Sequence, residues 1–123
     1  MTPVIFPSKC LALLSALVLF ATLPTSALGS NTKADEQAGA VLFSNKGCAH
    51  CHGPSGGGGK KGPDLTNLRK DKDWTPAKIT NQILNGGQKM PPFGDSLTDQ
   101  EAAQLVVWLR AKNRPTPPPA PAQ

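Results

Sequence analysis

Cys48-Ala49-His50-Cys51-His52 is the stretch on which the reading of this chain turns. Two cysteines separated by two residues and followed at once by histidine form the C-x-x-C-H arrangement of a c-type haem attachment site. The spacing lets each thiol add to one vinyl group of the same porphyrin, and the histidine after the second cysteine is placed to ligate the iron. On this reading Cys48 and Cys51 hold one covalent haem c and His52 is an axial ligand. The chemistry is then the cofactor's, and the polypeptide positions and tunes it.

Zinc and thioredoxin-like chemistry also use C-x-x-C. A structural zinc site wants four Cys or His ligands, usually as two separated pairs. Here the third cysteine is Cys10, far upstream, and both histidines lie inside the same pentapeptide. A thioredoxin-like motif should follow a strand and open a helix. The residues before Cys48 instead have a helical pattern, and those after His52 are Gly53-Pro54-Ser55 and four glycines. That glycine run, 56–59, reads as a flexible insert, and no Gly-Lys-Ser/Thr follows in the frame a phosphate loop needs.

The 123 residues leave room for one small domain. Lys9 precedes an apolar run, residues 11–21, and then come Pro24 and the small residues Thr25, Ser26 and Ala27. This is the layout of a secretory signal peptide, with cleavage expected near Ala27 or Gly29. The run is about half of the ~20 residues that span a bilayer, so membrane association is expected only if the leader is retained. The expected organisation is a cleaved leader over 1–29, a folded domain over 30–114 and a proline-rich disordered tail over 115–123. Cys10 goes with the leader, so the mature chain keeps two cysteines and no disulfide framework. Losing Lys9 leaves 12 basic residues against 8 acidic, a balance of +4. The charges are spread out and aromatics are few, which gives nucleic-acid binding little support. A basic face for an acidic redox protein is the better use.

Three helices are expected. The first opens at Thr32, with Asp35 as a weak capping partner, and carries Ala38, Val41 and Leu42 at helical spacing to about Ser44. The second has Thr75 at the N-cap, Pro76 at the first position, Ile79 and Ile83 on one face and Gly86-Gly87 to stop it. The third pairs Thr98 with Glu101 in a capping box, sets Ala102, Leu105, Val106 and Leu109 on one face, and should end near Asn113. No segment alternates as a strand would, so the fold class is all-α with long loops. After Arg114 the prolines predict an extended, mobile tail of polyproline II type.

A folded core of roughly 80 residues is near the size at which one hydrophobic core barely suffices. A porphyrin at its centre would add the missing apolar area. For the second axial position Met90 is the candidate: it is the sole methionine of the mature chain and sits between Gly86-Gly87 and Pro91-Pro92. Two prolines argue for a rigid loop presenting one side chain rather than for a soft core filler. His50 is tethered within the attachment loop and reads as a surface residue.

From about residue 34 to residue 112 the chain resembles a class I cytochrome c, the monohaem, Met/His-ligated electron carriers of bacterial periplasms. The attachment motif after an N-terminal helix, the methionine in a proline-containing loop and a C-terminal helix that would cross the first all match that pattern. The resemblance implies the small cytochrome c fold, with three main helices and long loops around the haem, and His52 and Met90 as iron ligands. Gly62-Pro63-Asp64-Leu65 resembles the family's Gly-Pro-x-Leu stretch, which implies that the Pro63 carbonyl orients His52. Gly39 and Phe43 resemble the small and aromatic pair that meets an aromatic of the last helix, here Trp108. The chain departs from some relatives in having no tyrosine, and Trp74 is left to face a propionate or to cap the haem edge.

The function so implied is single-electron transfer by a non-enzymatic protein of the periplasm, or otherwise exported, in a bacterium. Met/His ligation favours the ferrous state relative to two histidines. Donor and acceptor would be redox proteins docking near Lys46, Lys60, Lys61 and Lys89. An alternative is a haem-bearing electron-input subunit of a larger membrane or periplasmic oxidoreductase, and a more distant one is a haem peroxidase or gas sensor.

Overall fold

A computed structural model describes residues 32–121, and the expected leader lies outside these described residues. Four helices follow in order: α1 Thr32–Asn45, α2 Ala49–His52, α3 Pro76–Asn85 and α4 Asp99–Arg110. No strand occurs among the described residues, so the fold is all-α as the pattern of the sequence implies. The short α2 is the attachment motif itself, which coils into one turn and ends at Gly53.

The helix signals explain most boundaries. Thr75 accepts a hydrogen bond from the Lys78 amide and Pro76 occupies the first turn of α3, where its missing N–H costs nothing. Gly86 stops α3 at φ +69°, a left-handed backbone that β-carbon-bearing residues avoid. At α4 both arms of the Thr98/Glu101 capping box are made. The backbone hydrogen bond from Thr98 holds the Glu101 carboxyl below its ordinary range, with Lys46 adding to the effect. Helix α4 ends at Arg110, three residues short of the expected Asn113, because Ala111 turns into extended backbone.

The architecture is a crossing of α1 on α4, with α3 packed against the other part of α4. The buried stripe of α1 is Gly39, Ala40, Phe43 and Ser44, displaced by one position from the expected Ala38, Val41 and Leu42. Gly39 is the cause: without a side chain it brings the α4 backbone close, and that contact decides which face of α1 turns inward. Phe43 stacks on Trp108 with ring centroids 4.6 Å apart and planes at 42°, and Trp108 is fully buried. Asp35, read as a capping partner, accepts from Gln104 Nε2 across the same crossing at 3.2 Å.

A β-carbon on Gly39 would lie 2.6 Å from the Trp108 β-carbon and even closer to the Gln104 carbonyl oxygen. Alanine normally favours a helix interior over glycine by about 1 kcal/mol. Here backbone meets backbone and cannot swing aside, so Gly39→Ala is expected to destabilise by roughly 1–3 kcal/mol or more. Denaturant unfolding of the haem-loaded protein checks this, and an unchanged or raised midpoint would contradict the close approach.

The segment after α4 departs from the mobile tail that its prolines predict. Trp108 Nε1 donates to the Pro115 carbonyl at 2.9 Å, Ser44 Oγ donates to the Pro118 carbonyl at 2.6 Å, and Pro117 is buried. An extended proline segment makes no internal hydrogen bonds, so its carbonyls are free to satisfy donors on the body of the protein. Residues 115–118 are therefore docked across α1 and α4 with only Thr116 among them exposed, and 119–121 stand exposed beyond them. The glycine run at 56–59 is likewise held, by Gly58 N–H donating to the His52 carbonyl at 2.8 Å and Leu65 N–H to the Gly56 carbonyl at 2.8 Å.

Candidate haem site

The attachment turn places its three chemical groups differently. His52 is buried, at 8% exposure, while Cys48 and Cys51 are half-buried with free thiols, and His50 is exposed. Burial pushes the Cys48 thiol up to about 11, with a smaller upward push from the charge of Cys51 and an opposing backbone hydrogen bond. In the closed chain this thiol is neutral.

His52 Nδ1 lies 2.9 Å from the Pro63 carbonyl oxygen. A carbonyl can only accept, so Nδ1 carries the proton and Nε2 keeps its lone pair for a metal. Proline has no N–H of its own, and the loop around Pro63 is drawn in by packing on the attachment turn. A β-carbon on Gly62 would stand 2.9 Å from the Cys51 carbonyl and 3.0 Å from His52 Nδ1, which leaves no room there for a side chain.

Two adjoining hollows meet at His52, Pro63, Lys89 and Met90. The larger, of about 510 Å³, has Leu65, Leu68, Trp74, Ile79, Ile83 and Leu109 among its walls. The smaller, of about 120 Å³, brings in Cys48, Cys51 and Phe93. The structure thus gathers all five sequence-named residues, Cys48, Cys51, His52, Pro63 and Met90, around one cleft. Met90 is set by its loop: Gly87 N–H donates to the Met90 carbonyl at 2.8 Å, and Phe93 and Gly94 N–H groups return to the Ile83 and Leu84 carbonyls of α3 at 3.1 and 3.0 Å. The loop is closed on itself before the methionine and stapled to α3 after it.

Two residues of the site escaped sequence reasoning. Gln82 Nε2 stands 4.0 Å from Met90 Sδ. It shares a face with Ile79 and Ile83 at helical spacing, so a polar residue in an apolar stripe was the available signal. Arg110 donates from Nη1 to the Leu68 carbonyl at 2.9 Å and the Trp74 carbonyl at 2.6 Å, tying the wall at 68–74 to α4. Nothing in the local sequence marks that role. Of the expected basic ring, Lys61 and Lys89 border the smaller hollow and Lys60 is exposed. Lys46 is otherwise engaged, 3.3 Å from Glu101 Oε1 and donating to the Ser96 carbonyl at 2.7 Å. Lys46 therefore carries a paired charge.

The donor set fits a covalently attached haem. Thiols border the cleft for two vinyl groups, a neutral imidazole has its lone pair available, a thioether lies in the same cavity, and the walls are apolar and of the size of a cofactor pocket, roughly 300–1,000 Å³. Among the described residues no group of three or more His, Cys, Asp or Glu could hold a zinc ion instead.

Fold and cleft together define a small single-haem protein of the c type. The chain belongs to the class I cytochromes c: residues 34–109 match the family described as cytochrome c oxidase, cbb3-type, subunit III. It is 35% identical over 86 residues to the cbb3-type cytochrome c oxidase subunit FixP of Sinorhizobium medicae, a match covering 58% of this chain and 28% of that subunit. The chain therefore spans less than a third of that relative. It is also 30% identical over 105 residues to cytochrome c6 of the alga Gracilaria tenuistipitata var. liui, covering 82% of this chain and 94% of the relative. Among solved structures it is similar to the c-type cytochrome XoxG of Methylobacterium extorquens AM1, with a TM-score of 0.57, 26% identity, and coverage of 72% of this chain and 60% of that one.

Proposed function

We propose that this chain is an exported single-electron carrier in which Cys48 and Cys51 hold the haem and His52 and Met90 are its axial ligands. The observation that carries the reading is the His52–Pro63 hydrogen bond, which presents Nε2 as a donor in a cleft that Met90 also lines. When bound, the haem supplies a one-electron couple. The residues do the rest: Pro63 fixes the histidine's tautomer and strengthens it as a donor, and the stapled loop holds the thioether in place. The apolar walls would limit the access of water to the bound group. Held by side chains fixed in this way, it would change charge with little movement.

Lys61 and Lys89 at the cleft mouth, with exposed Lys60 next in sequence, would offer a positive rim to an acidic redox protein. The second-order rate with such a partner is expected to fall as salt rises, because charges further apart than about 10 Å are screened at 0.1 M. Charge reversal at Lys61 or Lys89 should slow it further, while Lys46→Gln should act mainly on stability. Stopped-flow kinetics across ionic strength test this, and a rate indifferent to salt would remove the docking role.

One observation favours a second reading. The match to the cbb3 subunit III family supports an electron-input module that works within a larger oxidoreductase. Isolation of the native protein separates the two, a free carrier emerging alone and a module emerging bound. Its mass also tests the proposed cleavage after residue 29.

A further inference from the structure

The docked tail delivers a charge to a place the haem reading does not use. Arg114, the residue before the proline segment, lays its guanidinium 4.9 Å from the centroid of the Trp108 ring. On its other side is buried Gly56, where a β-carbon would stand 3.4 Å from Arg114 Nη1, 3.6 Å from the Phe43 ring and 3.7 Å from Trp108. Nη1 is buried and finds no acceptor among the described residues. Its charge is answered only at longer range by Asp64, whose carboxylate is held in place by Thr66 and attracts it. A cation is thus packed where the core aromatics meet the glycine loop.

That loop is the one that surrounds the histidine. Gly56 is joined to Leu65, Gly58 to the His52 carbonyl, and His52 Nδ1 to Pro63, all by hydrogen bonds of 2.8–2.9 Å. Trp108 Nε1 to Pro115 and Ser44 Oγ to Pro118 in turn hold the segment that carries Arg114.

We propose that Arg114, pressed against the 53–65 loop by the docked proline segment, is a positioning residue of the haem site: it keeps the His52–Pro63 hydrogen bond in register and adds a fixed positive charge beside the loop that holds the histidine. The inference rests on the haem reading. The planar guanidinium can lie flat on indole and keep its donors in a fixed fork, whereas an ammonium meets the ring as a compact point charge. A nearby positive charge disfavours the oxidised, more positive state of the metal.

The test uses the haem-loaded protein. Covalent haem is first verified by its survival through denaturing electrophoresis, so a failure of attachment counts against the haem reading and not against Arg114. Arg114→Gln is expected to raise the oxidised-to-reduced ratio at a fixed ambient potential about threefold, the size of a partly screened unit charge. It should also speed amide exchange at Gly58 and Leu65 at least roughly tenfold, as expected for local opening of a loop that has lost its clamp. Arg114→Lys should restore most of the potential but not the protection. A chain ending at Arg114 should lose protection at the same amides. Thr98→Ala, which weakens the far end of α4, should move neither readout. Unchanged potential and exchange in Arg114→Gln would overturn the proposal, as would an equal shift in Thr98→Ala. Full protection in the truncated chain would overturn the part assigned to the tail.

Discussion

Met90→Ala is expected to abolish the ferric absorption of the iron–thioether bond and to lower the reduction potential by the order of 100 mV or more, within the roughly 0.8 V that axial ligands command. The sulfur is a soft, neutral donor that favours the reduced metal, so its loss stabilises the oxidised form. The substitution tests the ligand and little else. The loop around residue 90 is held by main-chain hydrogen bonds, Gly87 to Met90 and Phe93 and Gly94 to α3, none of which needs the side chain. Gln82 Nε2 reaches the sulfur only at 4.0 Å, so losing that long contact leaves the loop's main-chain bonds in place. The reduced variant should also bind carbon monoxide rapidly, where the parent binds slowly or not at all. A visible spectrum and redox titration beside wild type decide it. Unchanged absorption would overturn the assignment, and rapid binding by the parent would favour the gas-sensor or peroxidase reading.

The second large effect is on folding. A Cys48→Ser, Cys51→Ser chain produced without haem is expected to be largely unfolded by circular dichroism. Helix α1 packs on α4 and α3 on α4, while Leu65, Leu68, Trp74 and Met90 are only partly buried against that core. They face a hollow of about 510 Å³. At roughly 24 cal/mol per Å³ of empty volume, that hollow left unfilled corresponds to about 12 kcal/mol. The figure is an upper bound because the hollow opens to solvent. It is nonetheless as large as the 5–15 kcal/mol by which whole domains are stable. Near-native helicity in the haem-free chain would show that the helices carry themselves.

The two predictions draw on different kinds of legibility. Covalent attachment was readable because it depends on five consecutive residues, and the caps of α3 and α4 were readable because Thr75 and Thr98 bond amides three residues away. Pro63 came from the family pattern, and Met90 from being the sole methionine of the mature chain, set before two prolines. What brings them to His52 is a set of long-range hydrogen bonds and close backbone contacts that leave no mark on the local sequence. Prolines after Arg114 predict mobility because nothing within the segment holds it; donors on Ser44 and Trp108, outside the segment, capture it. Lys46 looked like a docking charge until Glu101, on another helix, claimed it.

By itself, then, the sequence determined the haem-attachment turn, the helical class and most helix limits, because each follows from interactions within a few residues. Only the tertiary structure decided which face of α1 is buried, which lysines stay free, and how the tail and Arg114 close on the histidine loop. Those outcomes depend on where Gly39 lets two helices cross, and on which unsatisfied donors the crossing brings beside a proline segment's open carbonyls.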